Sequence, residues 1–159
     1  MEQRTLVKWL KILVLFAAVC GLGLAGGVLP LAGQWLVESY PEFSYCFWPW
    51  LIFLWVLSIP CFGALYLAWK IFGNIEKDHA FTTENAEYMG RISFLAVADA
   101  VVLLVGNVLF LLIGMNHPGI LLLCFVVTLI GIGFSVAAAA LSHLIRKAAD
   151  LQDQSDWTI

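Results

Sequence analysis

One carboxylate stands well inside an apolar run of this chain: Asp99, in the stretch Ile92 to Ile113. Acids are rare in hydrocarbon because desolvating the charge is costly, so an intramembrane acid either serves a proton or cation path or is held by hydrogen bonds. Asp99 lies seven residues beyond Ile92, about 10 Å along a helix. At that depth an antiparallel arrangement offers Cys20, Cys61 to Gly63 and Ala137, none of them basic; Lys70 and Arg91 lie nearer the ends of their segments. Two uses stay open: a proton- or cation-coupled site, or a structural carboxyl bonded to Ser135, Ser142 or a backbone carbonyl. Asn107, about 80° further around the helix, completes a candidate intramembrane polar site and suits stitching helices together.

The remaining reactive side chains do not converge. His79, His117 and His143 fall in an inner connection, an outer turn and a segment end, so they cannot share one metal. Cys20, Cys46, Cys61 and Cys124 contain no C-x-x-C pair, and a thiol within an apolar run behaves as a small hydrophobe. Neither H-E-x-x-H, G-x-S-x-G nor a phosphate loop is present, and Ser142-His143 has no visible carboxylate to orient it. The residues therefore predict no catalytic, cofactor-binding or metal site, and a protein that is not an enzyme.

The elements that hold these residues follow from composition. Of 159 residues, 62% are hydrophobic and 12% charged, with a mean hydropathy of +0.94, more apolar surface than a water-soluble domain can hide. The net charge of −3 and scattered bases exclude direct nucleic-acid binding as an expectation. Crossing roughly 30 Å of hydrocarbon takes about 20 helical residues. Four stretches qualify: 12–31, 47–69, 92–113 and 119–144. They must be helices, since backbone groups in lipid have to be satisfied within the segment and no barrel-type alternation is present. The predicted class is an all-α integral membrane protein, an antiparallel four-helix transmembrane bundle forming a single domain.

Its orientation is read from the basic residues. Arg4, Lys8, Lys11, Lys70, Lys77, Arg91, Arg146 and Lys147 all fall on one side of a four-span layout, while the segments 34–46 and 114–118 carry Glu38, Glu42 and His117 but no base. The positive-inside rule places both termini, the connection 70–91 and the tail 145–159 in the cytoplasm. Trp35, Tyr40, Tyr45, Trp48 and Trp50 mark the outer boundary, Trp9 and Trp69 the inner one. The first span is too long for the apolar core of a cleaved signal peptide, about 7 to 15 residues.

Membrane helices associate where small residues let backbones approach. Gly23 with Gly27 in the first span, and Gly131 with Ser135 and Gly133 with Ala137 in the fourth, are candidate helix-packing faces, either within one chain or in a homo-oligomer. Pro60 should kink the second span, with Ser58 or a neighbouring helix serving the carbonyl it frees.

The inner connection reads KIFGNIEKDHAFTTENAEYMGR. Asn74 with Gly73 is expected to end the second helix. Thr82 is a plausible N-cap, Phe81 a staple and Glu84 a favourable charge for a helix running through Tyr88 into the third span. Such a helix could also serve simply as an amphipathic lead-in at the headgroups. Phe81-Thr82-Thr83-Glu84-Asn85-Ala86, then Met89 and Arg91-Ile92 leading into a span, resembles the signature of domain-of-unknown-function family 2975, small bacterial four-span membrane proteins. Asp78-His79-Ala80 stand where members often have Gly and Pro, and Glu87 and Gly90 where Lys or Arg is usual. The resemblance implies no catalytic role. It implies a place in the bacterial inner membrane and, because such genes often neighbour those of helix-turn-helix regulators, a cytoplasmic regulator as partner.

Two functions are expected from these readings. In the first, the chain binds or sequesters a small cytoplasmic regulator through Phe81, Thr82, Glu84, Asn85, Tyr88 and Met89, aided by Asp150, Asp153, Asp156 and Trp157 of the tail. In the second, it is a small transporter or channel-like component that uses Asp99.

Overall fold

A computed structural model describes residues 3–156. Every regular element among them is helical: α1 (Gln3–Gly23), a π turn (Leu24–Val28), α2 (Leu29–Ser39), a 3-10 segment (Pro41–Cys46), α3 (Phe47–Glu76), α4 (Thr83–Leu112) and α5 (Pro118–Asp156). Four lengths, Arg4–Ser39, Pro41–Glu76, Thr83–Leu112 and Pro118–Gln152, are long and apolar enough to cross a membrane. Their bulky side chains face outward; Phe94 is 69% and Leu112 76% exposed. A surface of that kind requires hydrocarbon around it.

The helices are longer than a bilayer requires. α4 has 30 residues and α5 has 39, about 45 and 58 Å at 1.5 Å per residue, against roughly 30 Å of hydrocarbon. The connection expected over 70–91 is therefore mostly helix: α3 runs through Gly73 and Asn74 to Glu76, and α4 begins at Thr83. The real stop is at Asp78, whose φ is +61°. Asp78 N–H donates to the Ile75 carbonyl and His79 N–H to that of Asn74, the paired bonds of a helix terminus closed by a left-handed residue. α4 ends the same way on Gly114, φ +75°, with Gly114 N–H on Leu111 and Met115 N–H on Phe110. The outer segment 34–46 is likewise helical to Ser39 and then 3-10.

A π turn breaks the first rod just before Pro30. Leu29 N–H donates to the Leu24 carbonyl, five residues back. In that register the Ala25 carbonyl would be served by residue 30, and proline has no N–H. The indole Nε1–H of Trp55 on α3 fills the place at 2.8 Å. Pro60 lies inside an unbroken α3, and Ser58 Oγ donates to the Trp55 carbonyl and not to that of Val56, the carbonyl four residues before the proline.

Packing proceeds from neighbour to neighbour: α1 on α3, α3 on α4, α4 on α5, while among the described residues α5 packs on neither α1 nor α3. The helices form an open row in which each packs on its neighbour in sequence. Between α3 and α4 the Phe53 ring sits on Gly106, where an added Cβ would come within 2.3 Å of it. Between α4 and α5 the contact is small and polar. Ala86, Ser93, Ala100 and Asn107 are buried on α4, one every seven residues. Ser93 and Ser135 each donate a hydroxyl to the other's carbonyl at 2.8 Å, and Ser142 donates to Ala86 at 2.6 Å.

This face takes up part of the small-residue pattern within the chain. Gly131, beside Ala100, and Ser135 do meet α4. Gly23, Gly27 and Gly133 have nothing within 4 Å of where a Cβ would stand, and Ala137 is exposed. Gly133 and Ala137 lie two residues beyond Gly131 and Ser135, about 200° around α5, which turns them away from α4.

Candidate functional site

The motif turn is built around Asn85, which is fully buried. Thr82, in extended conformation, caps α4 by accepting from Asn85 N–H at 3.3 Å. The Asn85 amide then reaches back into the turn: Nδ2 donates to the carbonyls of His79 at 2.9 Å and Ala80 at 3.0 Å. Its Oδ1 accepts from Asn74 Nδ2 at 2.9 Å, and the same Asn74 amide reaches Glu84 at 3.2 Å. Asn85 is thus the clasp between the end of α3 and the start of α4. This corrects its assignment as a docking residue, because no part of it is accessible.

The other motif residues divide by exposure. Phe81 is 57% exposed and Glu84 is exposed, whereas Tyr88 and Met89 are half-buried. The Tyr88 hydroxyl donates to Glu84, and its ring lies under the Lys70 ammonium, 5.3 Å from the centroid. Between the turn and α5 opens a polar cleft of about 650 Å³, bordered by Asp78, His79, Phe81, Thr82 and Thr83 on one side and by Ala149 and Gln152 on the other. Trp157, expected to contribute, lies outside the described residues.

This end also gathers the bases. Lys11 pairs with Glu76, beyond the apolar run that ends at Trp69, and that hydrogen bond holds the Glu76 carboxyl below the usual carboxylate range. Arg91 and Arg146 border one hollow with Glu87.

Asp99 faces α3 and not α5. Its Oδ2 meets the Cys61 thiol at 3.7 Å, and Oδ1 is enclosed with no hydrogen-bond partner. The expected serine partners are taken: Ser135 by Ser93 and Ser142 by Ala86. Helical geometry gives the reason, since Asp99 is six residues from Ser93 and so about 240° around α4 from the face that meets α5.

Asn107 belongs to a different cluster. It is fully buried; Nδ2 donates to the Leu103 carbonyl at 2.9 Å, and Oδ1 accepts from Asn116 Nδ2 at 3.0 Å. Asn116 Oδ1 in turn accepts from His117 N–H at 2.8 Å, and His117 Nδ1 accepts from Gly119 N–H at 3.0 Å, which caps α5. Trp50 Nε1 donates to the Met115 carbonyl at 2.8 Å and the Tyr45 hydroxyl to that of Gly114 at 3.3 Å. The turn between α4 and α5 is therefore pinned from three elements. The sequence reading took Trp50 only as a boundary marker and missed Asn116 and the roles of Ser93 and Ser142; only the seven-residue spacing of small residues could have disclosed the last two. Among the described residues no three His, Cys, Asp or Glu side chains come together as a metal site.

Comparison with known proteins agrees with this architecture. A curated relative, "Uncharacterized membrane protein YoaS" of Bacillus subtilis (strain 168), is 28% identical over 153 residues, covering 95% of this chain and 96% of that protein. No solved structure matches the chain. A family described as "Protein of unknown function (DUF2975)" matches residues 31–159, a range that holds the clasp, Asp99 and the pinned turn. This multi-pass membrane protein with four apolar helices belongs to the DUF2975 family.

Proposed function

We propose that the chain is a non-enzymatic protein of the bacterial inner membrane whose helices run antiparallel, with both termini in the cytoplasm, and that it holds a small helix-turn-helix regulator at its basic end. The observation that carries the reading is the clasp: Asn85 and Thr82 hold a short turn so that Phe81 stands exposed at the lip of a cleft shared with α5. A preorganised apolar anchor with polar surroundings is what an interface needs to limit its ordering cost. Asp78, Glu84 and Asp150 border the region or lie close by in sequence, and a basic DNA-binding domain complements such acids in competition with DNA. The orientation is supported by the gathering of all the bases at this end.

Affinity purification from native membranes, followed by binding measurements on any co-eluting DNA-binding protein, tests the proposal. Truncating Phe81 to Ala removes about 1.5 to 3 kcal/mol of apolar burial, tenfold or more in affinity; a chain ending at Lys147 should weaken binding as well. Equal affinity for wild type and both variants would remove the docking role.

A second reading has its own observation, the unpartnered Oδ1 of Asp99. In a proton- or cation-coupled transporter this atom would take the ion. Asp99→Asn should then abolish pH-dependent flux in reconstituted vesicles, and a wild type without flux at any pH would end that reading.

A further inference from the structure

At the end of the molecule opposite the bases, α2, α3 and the turn before α5 border a cavity of about 540 Å³. Its walls include Ala32, Leu36, Phe43, Phe47, Trp50 and Leu54, and its polar edge is formed by Tyr40, Asn116 and His117. We propose that this cavity is a binding site for a long-chain amphiphile with a neutral or cationic head, the chain lying between α2 and α3 and the head at the turn 114–117.

Four observations carry this. The cavity falls within the ~300–1,000 Å³ typical of single small-ligand sites, and like them it is apolar with a few polar groups placed at one edge. It is built to persist: Trp50 and Tyr45 pin the turn on one side, Asn107 holds Asn116 on another, and Gly33 admits the Phe47 ring, which would stand 2.7 Å from any Cβ there. A polar group faces where the head would lie. His117 lines the cavity and its Nδ1 already accepts from Gly119 N–H, so in the neutral ring the proton is on Nε2 and the side chain keeps one donor. Charge then selects the head, because segments 34–46 and 114–118 hold Glu38 and Glu42 with no Lys or Arg, a field that disfavours an anion. Trp35 and Trp48, next in sequence to the lining residues Leu36 and Phe47 and both more than 60% exposed, mark this depth as a membrane boundary, where a chain enters from the lipid side.

The test uses the full-length chain in nanodiscs of phosphatidylethanolamine and phosphatidylglycerol, with a monoacylglycerol carrying a diazirine in its tail as the probe. On irradiation and peptide mapping, labelling should saturate, concentrate on 32–54 and 115–120, and fall at least tenfold with excess unlabelled monoacylglycerol. Ala32→Trp should reduce it to the same extent while leaving labels on the outward residues Leu122 and Leu129 unchanged; if that variant does not reconstitute, Leu36→Trp occupies the same space. A fatty acid with the same tail should label at least several-fold less. Labelling spread evenly along the lipid-facing helices, or not competed, would overturn the site, and equal labelling by fatty acid and monoacylglycerol would overturn the head-group assignment. Labelling that falls as the phosphatidylglycerol share of the nanodisc is raised would overturn the choice of a neutral or cationic ligand, and labelling that falls as the phosphatidylethanolamine share is raised would support it, with the bilayer as source.

Discussion

Replacing Asn85 with Ala separates a residue that builds the motif turn from one that contacts a partner. The substitution deletes two donated bonds, to His79 and Ala80, and one accepted from Asn74, all between 2.9 and 3.0 Å. Each such bond contributes about 0.5 to 1.5 kcal/mol net, and the groups left behind in a buried site add a desolvation cost. The expected loss is about 2 to 4 kcal/mol, or roughly 4 to 15 °C in the unfolding midpoint of a chain this long. Asn85→Asp should be worse than Ala, since a carboxylate of the same shape would face two carbonyl oxygens with no hydrogen to offer. Thermal unfolding in detergent, followed by circular dichroism, measures the loss, and limited proteolysis should locate the opening between Lys77 and Thr83. Phe81→Ala, by contrast, changes an exposed side chain and should leave the midpoint within about 2 °C. An Asn85→Ala protein as stable and as protease-resistant as wild type would refute the clasp.

Trp55→Phe keeps an aromatic side chain but removes the indole donor on the Ala25 carbonyl, and should cost about 1 to 2 kcal/mol in the same unfolding assay; Pro30→Ala, which restores a backbone N–H at that site, should recover part of it. Asp78→Gly should raise stability by about 1 kcal/mol because a left-handed φ strains any residue with a Cβ, whereas Asp78→Val should lower it. Alkaline phosphatase fused after Ser39 or at Asn116 should be active, and fused after Asp78 or at the C-terminus silent; activity at Asp78 would overturn the orientation.

Four apolar lengths were legible in the sequence, because the span of a bilayer acts on residue counts alone. The N-cap at Thr82 was legible for a similar reason, since it depends on neighbours within one turn. Asn85 was read as a docking residue because it belongs to the motif; only the proximity of the α3 terminus, eleven residues back, encloses it. Asp99 and Ser135 sit at a shared depth in any linear reading, yet rotation about α4 decides that the acid meets Cys61 and leaves the serine to Ser93. Likewise Gly131 and Gly133 are equally small, and which one packs is set by the helix face turned to the partner. The open row, the Trp55 bond across to Ala25 and the cavity beside α2 depend on how separate helices lean on one another. Depth is a one-dimensional property that composition encodes, whereas azimuth and tilt arise only when side chains of different helices compete for the same space.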